Sequence, residues 1–329
     1  MIKLKDTQVY ILKNLFKLVM LIIVLSFITF ILLENSPINP INSYIDQNTN
    51  ISAEQIENIE TYWGLDKNPI ERFMTWGKNV LKGDLGISMV YRESVVDVIS
   101  SKFISSLALM MVSWMISGVL GFIMGIISGT NEDKLIDKLI RGYCHILIST
   151  PTFWLGMIFI IIFAVKLDIF PVALGVPIGV LSSEVTLIDK IQHLILPALT
   201  LSVIGIANIC LHTREKVIEI LESDYVLYAK SRGEDKKSII KNHVIRNVSL
   251  PAITLQFLSF SELFAGTIFA EKVFSYPGLG KATVDAGLSG DFNLLMGIVI
   301  VSVIFVFSGN LMADILSRIV DPRMKGEKI

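Results

Sequence analysis

The chain has 329 residues, of which 52% are hydrophobic and 18% charged, and its mean hydropathy is +0.63. Soluble domains carry about 25% charged residues, so the composition excludes an ordinary soluble globule and points to a bilayer as the solvent. A net charge of −1 excludes the basic footprint of a nucleic-acid binder. Two cysteines, Cys144 and Cys210, exclude a disulfide scaffold and a cysteine-rich metal site.

A spanning helix needs about 20 mostly apolar residues. Stretches free of Asp, Glu, Lys and Arg predict six spans. The first, Leu18–Leu33, is short, but Lys13 and Lys17 can snorkel and extend it. The others are Phe103–Asn131, Gly142–Val165, Ile191–Thr213, Asn247–Ala270 and Phe292–Ala313, of which the fifth is interrupted once, by Glu262. The uncharged run Ile169–Ser183 is read as a loop, because Pro171, Gly175, Pro177 and Gly179 are too closely spaced for a continuous helix. No small-x-small cleavage site follows the first span, so it reads as a retained anchor.

With six spans, one side of the membrane holds both termini and the loops 132–141 and 214–246, which together carry nineteen basic residues. The two short loops on the other side carry four, and the long segment 34–102 is discounted because long loops translocate largely regardless of charge. Both termini are therefore expected in the cytoplasm.

Along the external segment, Ser52 to Gln55 has the spacing of a capping box before a short surface helix running to Trp63. Ile70–Leu81 is a second amphipathic stretch, and Gly83-Asp84-Leu85-Gly86 reads as a turn. In the segment 214–246, Val217, Ile218, Ile220 and Leu221 extend the fourth span as helix into the cytosol. A short helix follows, with Gly233 where a left-handed terminating residue belongs. Lys236 to Asn247 is helical again, and Pro251 opens the fifth span.

Catalytic motifs are absent from the sequence. Ser275–Ala282 lacks the first glycine and the final hydroxyl of a phosphate-binding loop, and neither His-Glu-x-x-His nor Gly-x-Ser-x-Gly occurs. His145, His193, His212 and His243 are spread over different span ends and loops, which argues against a shared metal site. Glu262 is the exception within a span. It is read either as a residue of a translocation path or as a structural acid bonded to Ser259, Ser261 or a neighbouring helix.

Several motifs together resemble the permease subunits of bacterial ABC importers for dipeptides, oligopeptides and nickel, of the B-subunit type, over nearly the whole length. Trp63-Gly64-Leu65-Asp66 and Gly83 to Ser88 are similar to that family's external motifs. Ser149 to Trp154, His193 to Ala198, Glu271 to Gly280, Asn310 to Asp314 and Asp321-Pro322-Arg323 match its later ones. Asp224 through Gly233, then Arg246-Asn247 and Leu250-Pro251, resemble its Glu-Ala-Ala loop, although the triplet here reads Leu227-Tyr228-Ala229. The usual Gly-Asp-Pro turn after the first span is replaced by Asn35-Ser36-Pro37.

The resemblance implies an all-α polytopic membrane protein with six transmembrane helices of the ABC importer type I fold. Residues 1–100 would form the first helix and an external segment, 101–319 the transport domain with its ATPase-coupling loop at 214–250, and 320–329 a cytoplasmic tail. Asp224, Tyr225, Tyr228, Ala229, Lys230, Ser231, Arg232 and Gly233 would dock an ATPase, and Glu262 is the candidate for the path. The implied partners are a second homologous permease subunit, two ABC ATPase subunits, an external substrate-binding protein and membrane lipid. The chain itself would be no enzyme and bind no cofactor or metal, ATP being used by the partner subunits in the bacterial plasma membrane. Peptide is the expected cargo, nickel or a metal chelate the alternative within the family, and a stand-alone ion-coupled carrier or channel the alternative outside it.

Overall fold

The computed structural model describes residues 4–38, 61, 68–181 and 184–320. The capping box at Ser52, the Trp63–Asp66 motif and the Asp321–Arg323 signature lie outside the described residues. Within them the regular structure is helical, apart from an isolated bridge between Ile87 and Ser94. The helices in chain order are α1 (Leu4–Glu34), α2 (Pro69–Leu81), α3 (Val95–Gly129), α4 (Leu135–Ser149), α5 (Thr152–Lys166), α6 (Leu187–Leu221), α7 (Asp224–Ser231), α8 (Lys236–Leu258), α9 (Phe260–Val273), α10 (Leu279–Ser289) and α11 (Phe292–Val320).

Four of these are long and apolar enough to cross a membrane as single helices: α1 from Leu12, α3, α6 and α11 up to Ile315. Two bent pairs, α4 with α5 and α8 with α9, bring the number to six if each pair is one span. The expected third span, Gly142–Val165, is therefore not a straight helix. Its helix begins earlier, at Leu135, and the chain turns by 107° between Ser149 and Thr152. Pro151 is the cause: it has no N–H to continue the ladder, and it holds Thr150 in an extended conformation, ψ 128°. The fifth expected span is likewise bent, by 51° at Ser259. Pro251 does not open that span but lies inside α8. The helix absorbs π-type turns at Ile240–Val244 just before it.

The chain divides into two compact units, residues 1–105 with 278–307 and residues 106–277 with 308–329. In the first, Pro69 starts α2 under an Asn68 cap whose side chain accepts from the Ile70 amide. The apolar face of α2 delivers Phe73 and Trp76 to an aromatic cluster with Phe30 of α1 and Phe292 of α11, ring centroids 5.2–6.3 Å apart. The expected turn at Gly83–Gly86 is present, with both glycines left-handed and the Asp84 carboxylate accepting from Gly86 N at 2.8 Å. Asp291, fully buried, caps α11 through the Leu294 amide and accepts from Ser88 Oγ (2.6 Å) and Val90 N (3.0 Å). Burial and then the nearby Asp285 carboxylate push the Tyr91 phenol up to about 12, so it stays a neutral donor at physiological pH.

The second unit is built around α6, of which 67% of the most apolar stretch is buried, against 28% in α3. The close approach of these two helices rests on a glycine stripe, Gly121, Gly125 and Gly129, at four-residue spacing on one face of α3. A Cβ on Gly125 would lie 2.5 Å from Thr213 Cβ and 2.7 Å from the Cys210 carbonyl. Cys144 and Cys210 are both buried in the apolar cluster beside this seam, as small packing residues. The stretch Ile169–Leu181 is a non-helical loop, as its prolines and glycines predict. It is held by the buried His193, whose Nδ1 is 3.1 Å from the Ala173 and Leu174 carbonyls, and by Leu174 N donating to Phe274 O.

Candidate functional site

The charged segment after α6 folds as a built device rather than a loose connection. Helix α6 does continue past the apolar span to Leu221. Helix α7 then closes with two bonds of a Schellman motif, Glu234 N to Ala229 O and Gly233 N to Lys230 O, with Gly233 at φ +85°. Val226 and Ala229 point inward, and Val226 is fully buried with Val217 of α6 and Ile239, Val244 and Val248 of α8. Phe122 and Ile126 of α3 complete that cluster. Burying one such valine contributes about 1.5–3 kcal/mol, so α7 is bolted to the ends of three long helices. Lys236 Nζ adds a tie across the base, donating to the Thr130 carbonyl at 2.8 Å.

The opposite side of α7 is open. Tyr225, Leu227 and Tyr228 are exposed, Tyr228 by 65%, and the Arg232 guanidinium lies 5.9 Å from the Tyr228 ring centre. Asp224 stands in the first turn and Lys230 in the last, each suited to the helix dipole. Ser231 Oγ donates to Tyr228 O, and Lys230 Nζ to Leu221 O. Thus all eight residues singled out by the sequence fall on α7 or its terminating turn.

Directly above this device sits a feature that sequence reasoning missed. Asp137 in α4 is fully buried and receives a two-pronged ion pair from Arg214 of α6, Nε at 2.6 Å and a terminal nitrogen at 2.9 Å. Ser128 Oγ of α3 (2.6 Å) and Asp133 N (3.0 Å) also donate to it, and Arg141 Nε lies 3.5 Å away. Three helices are pinned at one carboxylate. The two basic loops expected from the sequence, 132–141 and 214–246, are bound to each other through it.

Glu262, in the first turn of α9, opens onto a cavity of about 550 Å³ between α6 and α9. Neither serine considered as its partner donates to it. Ser261 Oγ donates instead to Asn310 Oδ1 and Ser259 Oγ to Gln256 O. A carboxylate at mid-membrane costs about 2.5–3.5 kcal/mol on insertion scales, which a wet cavity relieves. Asn208 and His212, four apart on α6, line the cavity with Glu262, as do Leu201 and Phe269. The α6–α9 approach is tight at Gly266, where a Cβ would sit 2.9 Å from Leu201 Cδ1.

The four histidines are not brought together, and among the described residues no group of three or more His, Cys, Asp or Glu could hold a metal. His243 instead meets Glu234 at 3.2 Å beside α7. Glu271, which opens the Glu271–Gly280 stretch matched to the family, is fully buried at the end of α9 and accepts from Ser106 Oγ. Burial, then that carboxylate, push the neighbouring Tyr276 phenol up to about 12.

A family model described as binding-protein-dependent transport system inner membrane component matches residues 121–326, and one for the N-terminal part of such components matches residues 8–110. The oligopeptide transport system permease protein AppB of Bacillus subtilis (strain 168) is 30% identical over 317 residues, 96% of this chain and 99% of that protein. The glutathione transport system permease protein GsiC of Escherichia coli O6:H1 (strain CFT073) is 31% identical over 317 residues, 96% of this chain and 98% of that protein. A solved chain of the MetNI methionine ABC transporter, in inward-facing conformations, has a TM-score of 0.54 at 16% identity, covering 69% of this chain and 97% of that one. A chain of an amino acid ABC transporter scores 0.51 at 13% identity, covering 68% of this chain and 94% of that one. At such identities these two speak for the fold, that of ABC transporter membrane subunits. The chain belongs to the family of inner membrane components of binding-protein-dependent transport systems, as a multi-pass permease subunit of an ABC importer.

Proposed function

We propose that this permease carries peptides across a bacterial plasma membrane, driven by ATP hydrolysed on separate subunits. In this reading each bent pair is one span, making six, and the excess of basic residues in the loops 132–141 and 214–246 assigns both termini, α7 and the Asp137–Arg214 pair to the cytoplasmic side. Residues 1–100 serve as the first span and external segment, 101–319 as the transport domain and 320–329 as a tail. A second homologous permease completes the pathway, two ABC ATPases dock below, and an external binding protein delivers cargo to the segments 34–102 and 271–293. The peptide reading is supported by relatives named for oligopeptide and glutathione transport. The nickel or metal-chelate alternative rests on the sequence resemblance alone.

The observation that carries the mechanism is α7: a short helix with an open Tyr225–Leu227–Tyr228 face and an inward face fixed to α3, α6 and α8. ATP-bound and ATP-free ATPases that contact this face differently would bias the spans between inward-open and outward-open states. Gly233→Val tests it. Added side-chain atoms at Gly233 begin in open space, with no heavy atom within 4 Å of a Cβ, so the substitution acts through backbone strain. That strain is about 1–2 kcal/mol at a left-handed position, enough to unwind the turn that ends α7. The expected result is normal amounts of protein in the membrane, with uptake lost and ATPase activity no longer stimulated by loaded binding protein. Gly233→Asn, which tolerates this conformation, should retain more uptake. Wild-type coupling in Gly233→Val would overturn the assignment of α7.

A further inference from the structure

We infer that the cavity between α6 and α9 recognises a primary ammonium group borne next to an apolar side chain, as at the amino terminus of a peptide, with Glu262 as its counter-charge. The inference rests on the peptide-permease function proposed above and on the reading of Glu262 as a residue of the translocation path, and it names the chemistry selected there.

The lining is mostly apolar, with Leu201, Ile204, Leu255 and Phe269 among its residues, and Asn208, His212 and Glu262 stand among its few polar groups. Among the described residues no lysine or arginine lines the cavity, and Glu262 has no hydrogen-bond or ion-pair partner. A carboxylate left open in a mostly apolar hollow attracts a cation strongly, since low-dielectric walls focus its field. An ammonium with three donors meets Glu262, while the side chain beside it meets the apolar residues that make up most of the wall. The same cavity disfavours an anion or an acylated amine, which would leave the carboxylate without a counter-charge.

The test uses Leu258→Cys, at the cavity wall, in the assembled transporter in proteoliposomes, with Ala265→Cys as a second probe position. The native cysteines are buried, and the protein without the added thiol gives the background. Modification rates are measured with a cationic and an anionic methanethiosulfonate, each normalised to a free thiol in solution. The cationic reagent should be favoured by about 10-fold, and Glu262→Gln should bring the ratio close to one. A dipeptide with a free amino terminus should slow modification where its N-acetyl form does not, and Glu262→Gln should abolish that difference. Reagents that enter without charge preference, or equal or absent protection by the two peptides, overturn the recognition of an ammonium and leave the path standing. A cavity that neither reagent reaches overturns the path as well.

Discussion

Replacing Asp137 with alanine is expected to destabilise the protein by about 3–5 kcal/mol, the cost of stranding a buried charge. Arg214 would lose both prongs of its ion pair, and Ser128 Oγ and the Asp133 amide would lose their acceptor. The expected readouts are a sharp drop in membrane abundance and a lower unfolding temperature in detergent. Asp137→Leu combined with Arg214→Met should recover much of the loss, because an apolar pair of similar volume avoids desolvating two charges. An Asp137→Ala variant as stable as the wild type would show that the pair is peripheral to the fold. The double variant carries a second readout. If the node also holds α4 and α6 in step above α7, it should be stable yet coupled poorly to ATP.

Gly125→Leu is expected to prevent assembly of the helical unit altogether. Even a single Cβ would press into Thr213 and the Cys210 carbonyl, and backbone cannot yield as a flexible side chain does. Overpacking by a methyl group costs about 1–3 kcal/mol, and a leucine adds three further carbons to the same seam. Gly125→Ala should be measurably destabilised and Gly125→Leu aggregated, as judged by gel filtration of solubilised membranes. Gly142→Leu is the control: a Cβ there meets nothing within 4 Å, and the variant should elute as the wild type does. Equal behaviour of Gly125→Leu and Gly142→Leu would contradict the packing of α3 on α6.

Much of the architecture is legible because it rests on local signals. Charge-free runs mark the apolar helices, Pro171 to Gly179 mark the loop between α5 and α6, and Gly233 marks the end of α7. The bends are harder to read. Gly142–Val165 is apolar throughout, so hydropathy alone does not break it, although Pro151 carries the signal for a break. Pro251 carries the same signal, yet it lies inside α8, and the bend of that pair falls eight residues later, at Ser259. The stripe Gly121–Gly125–Gly129 was open to a search for small residues at four-residue spacing. The Asp137–Arg214 pair was not, since 77 positions separate its members and each sits in an unremarkable charged stretch. Glu262 stands out in any reading, but its cavity and its company, Asn208 and His212, exist only once α6 and α9 pack.

The central proposal is that this permease is a passive gate driven from below by nucleotide. Its most direct test is uptake of labelled peptide into proteoliposomes holding the complete transporter with loaded binding protein, compared with vesicles holding this chain by itself. Uptake is expected only with the complete assembly and ATP, and it should stop when a non-hydrolysable analogue replaces the nucleotide. Full-rate movement of peptide by the isolated chain, with no nucleotide and no companion subunit, would contradict it.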